Sequence, residues 1–171
     1  MFTARLEIRL PDEGDRERFV QLFCDRAFMV FSGGVLDDEA ANLRFDQMLE
    51  RAAEISFAKQ PVIERSSGTV IGYSGVDRFE FEGESRLEYG YRLVPEARGR
   101  GYATEAGLAV LAAAADTFQG EVLAFIDPAN HPSRTVLRKL GFRYWKNVSW
   151  EGGPTDFYRL NLPLETAGLT M

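Results

Sequence analysis

The stretch "YRLVPEARGRGYATEA", residues 91–106, constrains the fold of this chain more than any other segment. A strand pattern runs into a turn begun by Pro95, then into Arg98-Gly99-Arg100-Gly101, then into a helical run rich in alanine. The first turn of a helix carries backbone N–H groups without partners and a partial positive charge, so it attracts an anion such as phosphate. Glycine at 99 and 101 removes the Cβ atoms that would hold a phosphate off, and permits positive φ. Arginine adds charge-assisted hydrogen bonds. A solvated glycine-rich connection would use the same residues. Two familiar phosphate loops do not fit. A P-loop needs Gly-Lys followed by Ser or Thr, which the chain lacks. A dinucleotide fingerprint needs Gly or Ala three residues after its second glycine, where Thr104 stands.

The patterns on either side predict the order of elements. "ARLEIRL" alternates polar and apolar residues and reads as a first strand. Residues 11–31 have an acidic start and Phe19, Val20, Phe23 and Ala27 at helical spacing, and residues 36–60 predict a second, longer helix after Ser32-Gly33-Gly34. Two strands around a Ser-Ser-Gly turn follow, then "SRLEYGYRLV", where Gly90 invites a bulge. After the helix from Tyr102 come the strand "EVLAFID", a short helix over "NHPSRTVLRKL" ended by Gly141, and a closing hairpin. This order predicts one mixed sheet with helices on its faces.

At 171 residues the chain is expected to be a single domain, 1–171. A formal net charge of -6 argues against nucleic-acid binding and fits a basic or amine-bearing partner, or simply solubility. One Cys (Cys24) and one His (His131) make a zinc site of the usual kind unexpected, so no metal is predicted. No apolar run is long enough to span a bilayer, and "MFTARLEIRL" lacks a signal peptide's apolar stretch, so no membrane partner and a cytoplasmic location are expected.

Arg98-x-x-Gly101-x-Ala103 after a strand containing "EYGY", followed by "NHPSRTVLRKLGF" with Asn130, Ser133 and Gly141-Phe142, resembles the GNAT superfamily of acetyl-CoA-dependent N-acetyltransferases. The likeness is nearest to the RimJ/RimL-type branch, which acetylates N-terminal amines of ribosomal proteins, and it runs from "TARLEIRL" to "TDFYRL". It implies an α/β fold, a mostly antiparallel seven-stranded sheet with helices on both faces, splayed between the fourth and fifth strands. It further implies that coenzyme A pyrophosphate is held by backbone N–H groups from Arg98 through Gly99, Arg100, Gly101, Tyr102 and Ala103, with Thr104 starting the helix. Pantetheine would lie in the gap between the splayed strands, against the backbone of Leu93 and Val94. Asn130 and Ser133 are implied cofactor contacts, although an N-cap asparagine with serine three residues on is also a structural pair.

Direct acetyl transfer needs a neutral amine, an oxyanion donor and a proton for the leaving thiolate. The backbone N–H near Tyr91 or Arg92 is the expected oxyanion donor. Glu88 is the candidate base, against an ordinary strand glutamate, and His131 is a weaker one. Many members carry a tyrosine acid seven positions after the motif asparagine, where this chain has Leu137, so Ser133 is the implied substitute. The "KNVSW" stretch has no carboxylate before Glu151 to serve as the base some relatives place there. Phe28, Phe31 and Tyr91 are substrate-pocket candidates, and Trp145, Trp150 and Tyr158 are candidate wall residues or core. The expected function is acetyl transfer to a primary amine by a monomer or homodimer. The favoured acceptor is a protein N-terminus, with a small amine (amino acid, polyamine or antibiotic) or a non-catalytic acetyl-CoA-binding module as alternatives.

Overall fold

The computed structural model describes residues 1–163. In chain order the elements are β1 (Leu6–Ile8), α1 (Arg16–Phe23), α2 (Asp38–Glu54), β2 (Gln60–Glu64), β3 (Thr69–Phe81), β4 (Glu84–Leu93), α3 (Tyr102–Ala115), β5 (Gly120–Ile126), α4 (His131–Lys139), β6 (Arg143–Trp150) and β7 (Gly153–Leu162). They follow the predicted order and build one seven-stranded sheet, β1-β2-β3-β4-β5-β7-β6. Every neighbouring pair is antiparallel except β4–β5, which is parallel.

Both early helices are shorter than their apolar patterns predict. Asp12 and Asp15 form a capping box ahead of α1, and Asp15 is buried in a two-pronged ion pair with Arg9 at 2.7 Å on each side. The helix stops at Phe23 because Asp25 turns the chain, its carboxylate accepting from Phe28 N–H at 2.6 Å. Phe28 thus reaches the core from a turn. Asp37 caps α2 by accepting from Ala40 N–H at 2.9 Å. That helix ends at Glu54, and Gln60 already belongs to β2. Phe19 of α1 and Phe45 of α2 stack at 5.7 Å, locking the two helices together over one face of the sheet.

The opposite face carries α3 and α4. Tyr89 of β4 is fully buried there, stacked on Phe142 at 5.7 Å and within 3.2 Å of Ser74 Oγ through its hydroxyl. Gly107 of α3 makes this packing possible. A Cβ there would stand 2.6 Å from Tyr89 Oη and 2.7 Å from Leu140 Cδ1. A side chain at 107 would therefore lift α3 off both the sheet and α4.

The bulge expected at Gly90 is absent, since β3 and β4 pair without a shift from Gly72↔Leu93 to Phe81↔Glu84. Gly90 has a different use. It pairs with Gly75, and the Ala58–Lys59 segment crosses directly over both. A Cβ on Gly75 would stand 2.2 Å from Ala58 O, and one on Gly90 3.0 Å from Lys59 Cε. The paired glycines clear the floor on which Lys59 lies.

Candidate active site

β4 pairs with β5 only at Leu87↔Val122 and Glu88↔Leu123, so the two strands part after Glu88. Antiparallel pairing alternates residues that bond the neighbour with residues that face away from it. Val94 N–H bonds Ile71 O of β3 at 2.9 Å. By that alternation Arg92 and Gly90 also bond toward β3, whereas Leu93 and Tyr91 turn their backbone groups into the gap. Of the two predicted backbone contacts, Leu93 turns toward the gap, whereas Val94 N–H is taken by the sheet, and Tyr91 rather than Arg92 turns an N–H into the gap. The Leu93 carbonyl accepts from Arg98 Nε at 3.0 Å.

The loop at the head of α3 differs from expectation in how it uses its arginines. Arg98 folds back on the protein, reaching Leu93 O and, through Nη2, Ala27 O at 2.7 Å. Its own N–H bonds Pro95 O. Arg100 turns the other way and pairs with Glu64 at 3.1 Å, while Arg100 and Arg5 sandwich the Tyr102 ring at 4.7 and 4.4 Å. Both guanidinium groups thus brace the loop. The backbone remains to meet an anion. Gly101, the N-cap of α3, has φ 83° and provides no side-chain cap, so the first-turn N–H groups of Tyr102, Ala103 and Thr104 have neither a helical nor a capping partner. Gly99 has φ 72°, with open space where a Cβ would stand. An uncapped helix start with bare backbone around it fits a pyrophosphate.

Across the gap, Asn130 caps α4 by accepting from Ser133 N–H at 3.2 Å. The Ser133 hydroxyl lies 3.0 Å from the Tyr91 hydroxyl. This pair joins β4 to α4 and was not legible in sequence, because 42 residues separate its members. Burial holds the Tyr91 phenol above its ordinary value, partly offset by the bond to Ser133, so it stays protonated. Leu137 is buried in the core. His131 is exposed at the first position of α4.

The other side of the sheet holds a cavity of about 280 Å³ between α2 and the β3–β4–β5 surface, lined by Phe23, Met48, Tyr73, Phe79 and Phe125 with charged groups among them. Glu88 is in it, buried, and Lys59 Nζ donates to its carboxylate at 2.9 Å. Asp77, opposite Glu88 on β3, is 3.4 Å from the same ammonium. Burial alone would lower the Lys59 value, but Glu88 and Asp77 outweigh it and hold it raised. Sequence reasoning missed Lys59, which it placed at a helix end. It also missed Asp77, although the alternation Gly75, Asp77, Phe79 puts that carboxylate on the face shared with Glu88 and Gly90.

The remaining substrate candidates fall elsewhere. Phe28 is core, packed edge-on against Tyr73 at 6.3 Å, and Phe31 is exposed in the α1–α2 connection, away from the cavity lining. Trp145 and Trp150 join Phe81 and Phe157 in a second aromatic cluster that abuts the cavity through Phe79 and Phe125. Tyr158 lines a separate hollow between α4 and the β6–β7 edge, with Arg134, Arg138 and Arg143. Glu88, Lys59, Tyr91, Ser133 and the α3 loop are not in its lining.

The described geometry matches known proteins. The Acetyltransferase (GNAT) domain family matches residues 5–143. The Bacillus subtilis protein YkkB is 27% identical over 162 residues, covering 92% of this chain and 93% of its own. A GNAT-family acetyltransferase structure from Bordetella pertussis superposes with a TM-score of 0.82 at 22% identity, over 93% of this chain and 97% of that one. The structure of RimL, a ribosomal L7/L12 α-N-protein acetyltransferase in complex with coenzyme A, gives 0.77 at 15% identity, over 93% and 95%. A family match over most of the chain, on a sheet that parts beside an uncapped helix start, means that this chain belongs to the GNAT acetyltransferase family.

Proposed function

We propose that this chain is an acetyl-CoA-dependent N-acetyltransferase that moves the acetyl group directly to a primary amine. The observation that carries the reading is the alignment of three features along one gap. These are the uncapped start of α3, the β4 edge freed after Glu88, and the Tyr91–Ser133 hydroxyl pair. The coenzyme A in the RimL structure supports the choice of anion. Bound acetyl-CoA would supply a thioester carbonyl open to attack by the amine. In the chain's own part, Gly99 to Thr104 hold the pyrophosphate and Tyr91 N–H faces the carbonyl oxygen as it gains charge. Glu88 takes the proton that leaves the acceptor nitrogen, directly or through water, as the new C–N bond forms. The C–S bond breaks, and the Tyr91–Ser133 pair donates a proton to the thiolate, the role Leu137 cannot fill.

An α-amine suits this site better than a lysine side chain. Its unperturbed pKa lies about 2.5 units lower, so the neutral nucleophile is easier to reach. Thiol release from acetyl-CoA in the presence of a mixed panel of amines and free-N-terminus peptides tests the reading. Stoichiometric release and acetylated amine are expected. Tight acetyl-CoA binding with no release for any amine would favour a sensor instead.

A further inference from the structure

The chain is acidic as a whole, yet the acceptor cavity is not. Arg44, Gln47, Met48 and Arg51 are spaced as one face of a helix, and that face of α2 forms a cavity wall. Neither Arg44 nor Arg51 forms an ion pair among the described residues. The two carboxylates in the lining, Asp77 and Glu88, already share the Lys59 ammonium. The charge left facing the cavity is therefore positive and concentrated on α2. Just beyond Tyr73 stands a third guanidinium with no carboxylate partner. Arg92 is half-buried over the Tyr73 and Phe28 rings at 5.7 and 5.6 Å, with Nη1 2.9 Å from Met29 Sδ. Burial lowers its value, and the like charge of Arg44 lowers it further.

Evolving a solvated helix face does not require arginine twice toward an aromatic cavity whose carboxylates are already engaged. An oxyanion does, because guanidinium groups offer paired donors matched to carboxylate, sulfonate or phosphonate. We infer that the amine acceptor carries an anionic group, which Arg44 and Arg51 on the helix wall hold while the amine lies against Glu88 on the sheet floor. The inference rests on the transferase reading above and narrows its substrate class. A cationic polyamine or a lysine-rich N-terminus would meet like charge in this cavity. The anion could belong to a free amino-acid-like molecule or to an acidic residue next to a peptide's N-terminus.

Matched acceptors test this: β-alanine against propylamine, aspartate against asparagine methyl ester, and peptides beginning Ala-Glu-Glu against Ala-Lys-Lys. The anionic member of each pair should have the higher kcat/KM, by about tenfold or more. The free acids and the peptides separate the two sources of the anion. In an Arg44→Gln, Arg51→Gln double variant the anionic-to-neutral ratio should fall by about tenfold or more. Arg44→Glu should push preference toward the Lys-containing peptide. Acetyl-CoA affinity by calorimetry reports that each variant is folded. Turnover that favours the neutral or cationic members in the wild-type chain would overturn the inference while leaving the transferase reading intact. So would ratios that do not move in the double variant. Absence of turnover with every amine would overturn the transferase reading and the inference with it.

Discussion

Glu88 is asked for two things by its neighbours. It is paired with Lys59 and, as a base, must take a proton from the acceptor. Lys59 fixes the Glu88 carboxylate in the cavity, in the position a base needs. Glu88→Gln should lower turnover by about 100- to 10,000-fold, the usual contribution of a general base, with acetyl-CoA affinity little changed. Steady-state kinetics with calorimetry check this, and retention of more than about half the activity would move the base to a water chain. Lys59→Met removes the cation that fixes Glu88 beside Asp77 and should lower kcat while acetyl-CoA affinity, read by calorimetry, stays unchanged. An unchanged kcat would mean that Lys59 does not position the base. Ser133→Ala should be milder than Glu88→Gln, because Tyr91 keeps a hydroxyl at the same place.

Among the elements, α3 depends most on its start and its middle. Its start is open because Gly101 sits at φ 83°, a conformation that side chains reach only with strain, while Gly107 lets its middle rest on Tyr89 and Leu140. Gly101→Val should lower acetyl-CoA affinity by roughly tenfold or more, through lost charged hydrogen bonds to the backbone. Gly152→Ala, at φ 89° in the β6–β7 turn, imposes comparable backbone strain far from the gap and should leave affinity alone. Calorimetry on both variants separates strain from lost contact. Equal losses would show that the α3 loop holds no cofactor group.

For the whole molecule, the buried phenols and the Lys59 ammonium tie stability to alkaline pH. Burial holds Tyr89 and Tyr91 above their ordinary values, and Glu88 and Asp77 hold Lys59 above its own. In each case the folded state keeps a proton that the unfolded chain gives up first. The unfolded state then binds fewer protons, so stability falls as pH rises. Below about pH 10 both states are protonated and this stability is fully present. Above it, each group should remove up to about 1.4 kcal/mol per pH unit until its folded value is reached. Urea unfolding between about pH 9 and 11 checks this, and Tyr89→Phe should flatten the decline. An equal slope in that variant would mean that Tyr89 does not contribute.

The order of elements, the turn at Pro95 and the glycine loop before α3 were all legible in the sequence, because they rest on periodicity and on residues with unusual backbone freedom. Those are properties of neighbours in the chain. The helix ends at Phe23 and Glu54 were not, since apolar spacing continues past the point where Asp25 turns the chain and β2 claims Gln60. Glu88 could be named from its strand and its family likeness, but its partner could not. Lys59 reaches it across 29 residues because two glycines on different strands, Gly75 and Gly90, happen to pair beneath it. The two loop arginines drew attention as anion ligands, yet Glu64, Ala27 and Leu93 claim them as braces. Net charge said that a basic partner would be welcome, and tertiary packing gathered the unpaired arginines around the one cavity where the acceptor would sit. Local chemistry determined which segments could form the site. Only the pairing of strands and the packing of α2 over them decided which charges face it, because electrostatic partners are chosen by distance in space and not along the chain.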